Sequence, residues 1–336
     1  MPNDSLEGRR DEPAGAVAVA AVESVCLSEA VATPYGEVSR LWGWLVLLFT
    51  GVVWGLSFSL ARMAVEGGGD PLGITLWQAG LGAVFLLAVT TGRGKTISFR
   101  GNLLGLYVIC ALLGTAVPGV LFYHAAAHVP AGVLAITVTL VPILTVFLAL
   151  LLGVERLGFL RLLGVLCGLL AVVLLVAPER SLPDASAVFW VLVACLASVC
   201  YAAENLVIAL RMPDRASPFM VACGMHLMAT AILAPVVFAS DSFVVFAWPW
   251  GRVEWAILGL GAGNAVAYSL FIYLVNRAGP VFASQVAYVV TLSGVFWGMA
   301  IFGEQHSPWV WLSLAVMLGG LAMVTPRKSA PAPRQA

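Results

Sequence analysis

Ten stretches of predominantly apolar residues follow one another between residues 41 and 325, and this run constrains the fold more than any motif does. A helix rises about 1.5 Å per residue, so roughly 20 apolar residues cross the hydrocarbon core of a bilayer. The stretches cover approximately 41–63, 71–91, 103–123, 129–152, 159–177, 186–210, 217–239, 253–275, 280–302 and 308–325. Short breaks rich in glycine, proline or charge separate them, such as Gly-Gly-Gly-Asp-Pro at 67–71 and Arg-Met-Pro-Asp-Arg at 211–215. Charged residues make up only 10 % of the chain and mean hydropathy is +0.99, whereas a water-facing domain carries about 25 % charge. Lipid is the expected solvent, and the expected fold class is an all-α integral membrane protein with ten transmembrane helices.

The formal net charge is zero, which removes the general argument for a nucleic-acid partner. Cys110, Cys167, Cys195, Cys200 and Cys223 fall inside apolar runs, with no spacing that suits zinc. No metal and no cofactor is expected. Residues 1–40 are different in character. Asp4, Glu7, Asp11, Glu12, Glu23 and Glu29 frame an Ala/Val stretch from Ala14 to Val22 that is too short to span. This segment predicts a disordered cytoplasmic tail, and 326–336 predicts a second.

Basic residues orient the spans. With both termini in the cytoplasm, fourteen of the seventeen Lys and Arg fall inside, and only Arg62, Arg180 and Arg252 fall outside. Both termini are therefore expected to be cytoplasmic. The chain also repeats itself at a separation of about 150 residues. Tyr123, Pro130 and Gly153 are spaced like Tyr273, Pro280 and Gly303. Gly168-Leu-Leu-Ala-Val-Val matches the segment from Gly319 to Val324 after a one-residue shift. Each half, 41–180 and 181–325, holds five spans, so the second enters from the opposite side. The loop charges follow: Arg93, Lys95 and Arg100 after span two face only Arg252 after span seven. The predicted architecture is two inverted five-helix repeats, an arrangement many carriers use for alternating access.

The chain resembles the drug/metabolite transporter superfamily, and within it the EamA-type permeases. The resemblance rests on Trp54-Gly55-Leu56-Ser57-Phe58, the fourth span ending Gly153-Val154-Glu155-Arg156-Leu157, and the ninth ending Gly303-Glu304. Two departures stand out: Val154 separates Gly153 from Glu155, and Trp77-Gln78 stands where many relatives carry an arginine. The resemblance implies a secondary carrier for a small organic solute in the bacterial inner membrane, with efflux of an amino-acid-like metabolite or drug preferred. Uptake of a vitamin such as riboflavin by the same fold is the alternative. A membrane enzyme acting on lipid or quinone is a further alternative, disfavoured by the scarcity of acid, base and metal-ligand residues, with only four histidines present. No G-x-x-x-x-G-K-[ST] sequence occurs, so the chain brings no phosphate-binding loop of its own.

Glu204 is the acidic residue set well inside a span, seven residues before Arg211, or roughly 10 Å along the helix. A charge at that depth costs about 3 kcal/mol unless it faces a cavity or a partner. It is read as a proton- or cation-binding carboxylate, or else as a partner of Arg211. His226, mid-span in the seventh stretch, matches Gln78 at a shift of 148 and is a second proton carrier by chemistry. Trp54 and Tyr201 match at a shift of 147 and suit a stacking wall for an organic solute. Asn205, Asn264 and Gln285 are amides that either line the pathway or link helices. The expected partners are a small-molecule substrate, the lipid bilayer and a coupled proton.

Overall fold

The computed structural model describes residues 40–92, 96–99, 101–154, 158–176, 186–213, 216, 218–278 and 280–324. Apart from Arg40, both expected tails lie outside the described residues, as do Glu155 and Arg156. Among the described residues the chain forms ten helices and no strand. They are α1 Arg40–Glu66, α2 Pro71–Gly92, α3 Asn102–Ala126, α4 Ala131–Leu151, α5 Phe159–Val176, α6 Ala187–Arg211, α7 Pro218–Ala239, α8 Arg252–Ala278, α9 Pro280–Ala283 with Val286–Phe302, and α10 Pro308–Val324. Seven, α1 to α7, are long and apolar enough to cross a membrane. That is fewer than the ten spans the sequence predicts. The apolar part of α9 and the whole of α10 reach only 17 residues each. In α9 the cause is a break at Ser284 and Gln285, where tight bonds three residues back replace helical ones: Ala287 N donates to Ser284 O and Tyr288 N to Gln285 O, both at 3.2 Å.

Two prolines shape the helices around the centre. Proline has no N–H and crowds the carbonyl four residues earlier. Pro118 thereby frees the Gly114 carbonyl, and α3 opens into a π-helical segment at Leu112–Ala116. Pro142 acts likewise on Val138, and α4 breaks at Thr139 between Ala131–Val138 and Leu140–Leu151. Away from water such a break must be satisfied by neighbours. Ser198 of α6 donates to Thr137 O at 3.0 Å, and the Thr139 hydroxyl meets that of Thr291 on α9 at 2.5 Å.

The helices pack in a pattern that survives exchange of the halves. The main pairs are α1 with α8 and α9, α6 with α3 and α4, α2 with α8, α7 with α3, and then α2 with α7, α4 with α9 and α5 with α10. Replacing each helix by its counterpart five places on returns the same set. Small residues permit the close crossings, since lipid leaves packing and polar contacts as the forces that bind helix to helix. At α5–α10, a Cβ added at Gly164 would lie 2.8 Å from Gly320 O, and one at Gly320 would lie 2.9 Å from Gly164 O. Gly153 and Gly303, 150 residues apart, both end their helices in the left-handed region, at φ 68° and 65°. Glycine suits that conformation because it lacks a Cβ.

Candidate functional site

The π-helical segment of α3 positions the centre of the site. There Gly114 faces α6, and a Cβ at this position would overlap the carboxyl group of Glu204. Glu204 is only 8 % exposed. The phenols of Tyr201 on α6 and Tyr268 on α8 lie within electrostatic range of the carboxylate, as does Cys110, four residues before Gly114 on α3. No hydrogen bond or ion pair to Glu204 is present among the described residues. Arg211 lies two turns along α6 and is exposed, so the expected alternative of an internal Glu204–Arg211 pair is not realised.

Polar and aromatic groups extend from the carboxylate in two directions. Tyr201 is in electrostatic range of Tyr123 on α3, whose hydroxyl donates to Gln78 Oε1 on α2 at 2.7 Å. One turn beyond Gln78, Gly82 leaves room for the His226 ring of α7, and His226 Nδ1 lies 2.8 Å from its own Ala222 carbonyl. On the other side Tyr268 shares a face of α8 with Asn264, which accepts a 2.8 Å hydrogen bond from Trp54 Nε1 of α1. Trp54 also packs on Phe271. Glu204, Tyr201, Gln78, His226, Trp54 and Asn264 are thus linked, neighbour to neighbour, across α1, α2, α3, α6, α7 and α8.

Two expected site residues stand apart. Asn205 is exposed, because it is turned about 100° around α6 from Glu204 and cannot share its face. Gln285 sits at the break in α9, where its N–H donates to Phe282 O. Trp77 is committed elsewhere: it stacks on Phe246 at 4.3 Å and donates to Val244 O, so it anchors the 240–251 connection.

A second polar cluster, at the end of the bundle where α1 finishes, was not singled out by sequence reasoning. Glu304 follows the left-handed Gly303 and turns back over the start of α4, where Ala131 N and Gly132 N donate to its two oxygens at 2.6 and 3.0 Å. Arg62 donates to Glu304 at 2.5 Å and to Glu66 at 2.7 Å, and its guanidinium lies over the Phe302 ring. His306 Nε2 is 3.3 Å from the other Glu304 oxygen. Burial alone would raise the Glu304 pKa. The approach of His306, the hydrogen bonds from Gly132 and Ala131, and the Arg62 charge outweigh it and hold the carboxyl below its ordinary value. The usable signal was the Gly-Glu pair itself, a glycine suited to end a helix followed by a carboxylate.

Two segments, 41–177 and 188–325, match the model of the EamA-like transporter family. The chain is 25 % identical over 295 residues to the uncharacterised inner membrane transporter YedA of Escherichia coli K12, covering 87 % of this chain and 92 % of that protein. The YedA proteins of strains O6:H1 and O157:H7 match to the same extent. A solved crystal structure superposes with a TM-score of 0.57 over 85 % of this chain and 97 % of that one, at 22 % identity, which supports the fold alone. Two matches to the same model, together spanning most of the chain and each centred on one helical half, place it without ambiguity: the chain belongs to the EamA-like transporter family.

Proposed function

We propose that this protein is a secondary carrier of the bacterial inner membrane that exports a small organic solute, amino-acid-like or drug-like, in exchange for protons bound at Glu204. The observation that carries this reading is the Glu204 carboxylate, buried inside the bundle, with no bonded partner among the described residues and with the phenols of Tyr201 and Tyr268 in electrostatic range. An acid in that position requires a proton or a cationic group to neutralise it. A single site that takes either one at a time links the two fluxes. Supporting the carrier reading, the helix pairs map onto themselves when the halves are exchanged, as two inverted repeats require. Supporting an orientation with both termini cytoplasmic, fourteen of seventeen basic residues then fall inside. In that orientation the Glu304 cluster faces outward.

The test is transport in ATP-free proteoliposomes with a panel of amino acids, organic amines and riboflavin, with and without an imposed pH gradient. The reading expects gradient-driven movement of at least one amine-bearing compound. An absolute requirement for ATP, or riboflavin uptake indifferent to pH, would overturn it.

A further inference from the structure

We propose that the Arg62–Glu304 cluster is the outer gate of the transport pathway, closed in this structure and opened once in each cycle. This rests on the carrier reading above, but it concerns a different site and a different motion.

The cluster joins three chain segments that nothing in the sequence brings together. They are the end of α1, the start of α4, and the connection from α9 to α10. The first two belong to the first half and the third to the second, so the contact fastens one repeat to the other at one membrane face. Its geometry is exacting. The side chains of Glu304 and His306 are 6 % and 3 % exposed. A Cβ at Gly132 would lie 2.7 Å from His306 Nε2 and 3.2 Å from a Glu304 oxygen, and one at Gly298 would overlap Glu304. The carboxylate also satisfies two N–H groups at the start of α4, which have no partner within their own helix.

These features suit a gate better than a permanent fastening. Every bond in the cluster is polar and lies at the bundle's end, where entering water can replace each one when the segments part. The glycine-packed α5–α10 crossing offers no such exchange, because its contact is backbone against backbone. A buried charged cluster also favours two states over a continuum, since a half-broken one leaves an unpaired charge away from water.

The test uses spin labels at Ala127→Cys and Gln305→Cys, both exposed positions flanking the cluster, in full-length protein whose native cysteines are replaced. Pulsed distance measurements in lipid nanodiscs need no substrate. The proposal expects a dominant short distance in the parent. Glu304→Gln and Arg62→Gln should each raise the ratio of long to short distances about tenfold, the effect of a bias of about 1.4 kcal/mol. Arg62→Lys keeps the charge without the guanidinium fork and should fall between, which guards against a variant that merely misfolds. One unchanged short distance in all three would overturn the gate. Distances that shift as expected, in a protein that moves no compound of the panel, would uphold the opening motion and overturn the carrier reading instead.

Discussion

Gly114→Ala should leave the fold standing and yet displace the carboxylate on which the proposed mechanism depends. The added Cβ would occupy the space of the Glu204 carboxyl carbon and both of its oxygens. Those atoms end a flexible side chain, so the clash is relieved by moving Glu204 off its rotamer, at about 0.5–1.5 kcal/mol. Alanine in turn gains roughly 0.5–1 kcal/mol over glycine inside a helix. The two terms have opposite sign and similar size. The apparent melting temperature in detergent should therefore stay within about 2–4 °C of the parent, while pH-driven transport in proteoliposomes collapses. Gly320→Ala is the control, because its Cβ meets the Gly164 carbonyl, and backbone cannot swing aside. Overpacking of that kind costs about 1–3 kcal/mol, so Gly320→Ala should melt earlier while each folded molecule transports normally. Equal destabilisation by both substitutions, or unimpaired pH-driven transport in Gly114→Ala, would refute the placement of Glu204 against the π-helical segment.

Ser198→Ala removes the hydroxyl that bonds the Thr137 carbonyl at the break in α4, and should lower stability by about 0.6–1 kcal/mol in thermal unfolding; no loss would mean that the break finds another donor. Trp77→Ala deletes both anchors of the 240–251 connection, so limited proteolysis should nick that segment faster than in the parent, and an unchanged rate would contradict the anchoring role. Glu304 titrates below its ordinary value of 4.5, facing Arg62 and, through it, Glu66 on α1, His306 on its own connection, and the N–H groups that begin α4. A depressed acid contributes stability that is fully present above its unfolded pKa and lost as pH falls through the folded value. The stability gap between parent and Glu304→Gln should be constant from about pH 5.5 upward and close progressively below about pH 4; a gap that already closes well above that range would contradict the lowered titration of Glu304.

The helices were legible because their signals are local. Apolar length marks the spans, and Pro118 and Pro142 announce breaks one turn upstream of themselves. The matched spacing of Pro130 with Pro280 and Gly153 with Gly303 reappears as helix starts and left-handed ends. The site was legible only in part. Glu204, Tyr201, Gln78 and Asn264 were recognisable as polar groups in apolar surroundings, but which of them share a wall depends on how far each helix is rotated. A helix that is apolar all round carries no polar stripe to fix that rotation. Asn205 illustrates this: one residue from Glu204, it falls on an exposed face. The Arg62–Glu304 contact was not legible, since its partners lie 242 residues apart and each reads alone as an ordinary charge at a span end.

The most direct test of the account is Glu204→Gln, assayed in ATP-free proteoliposomes for solute accumulation driven by an imposed pH gradient. The amide keeps the shape and the hydrogen-bonding capacity of the side chain but cannot titrate. The account predicts that gradient-driven accumulation is abolished, that solute exchange without a gradient persists, and that thermal stability is retained. Accumulation at the parent rate in Glu204→Gln would contradict it.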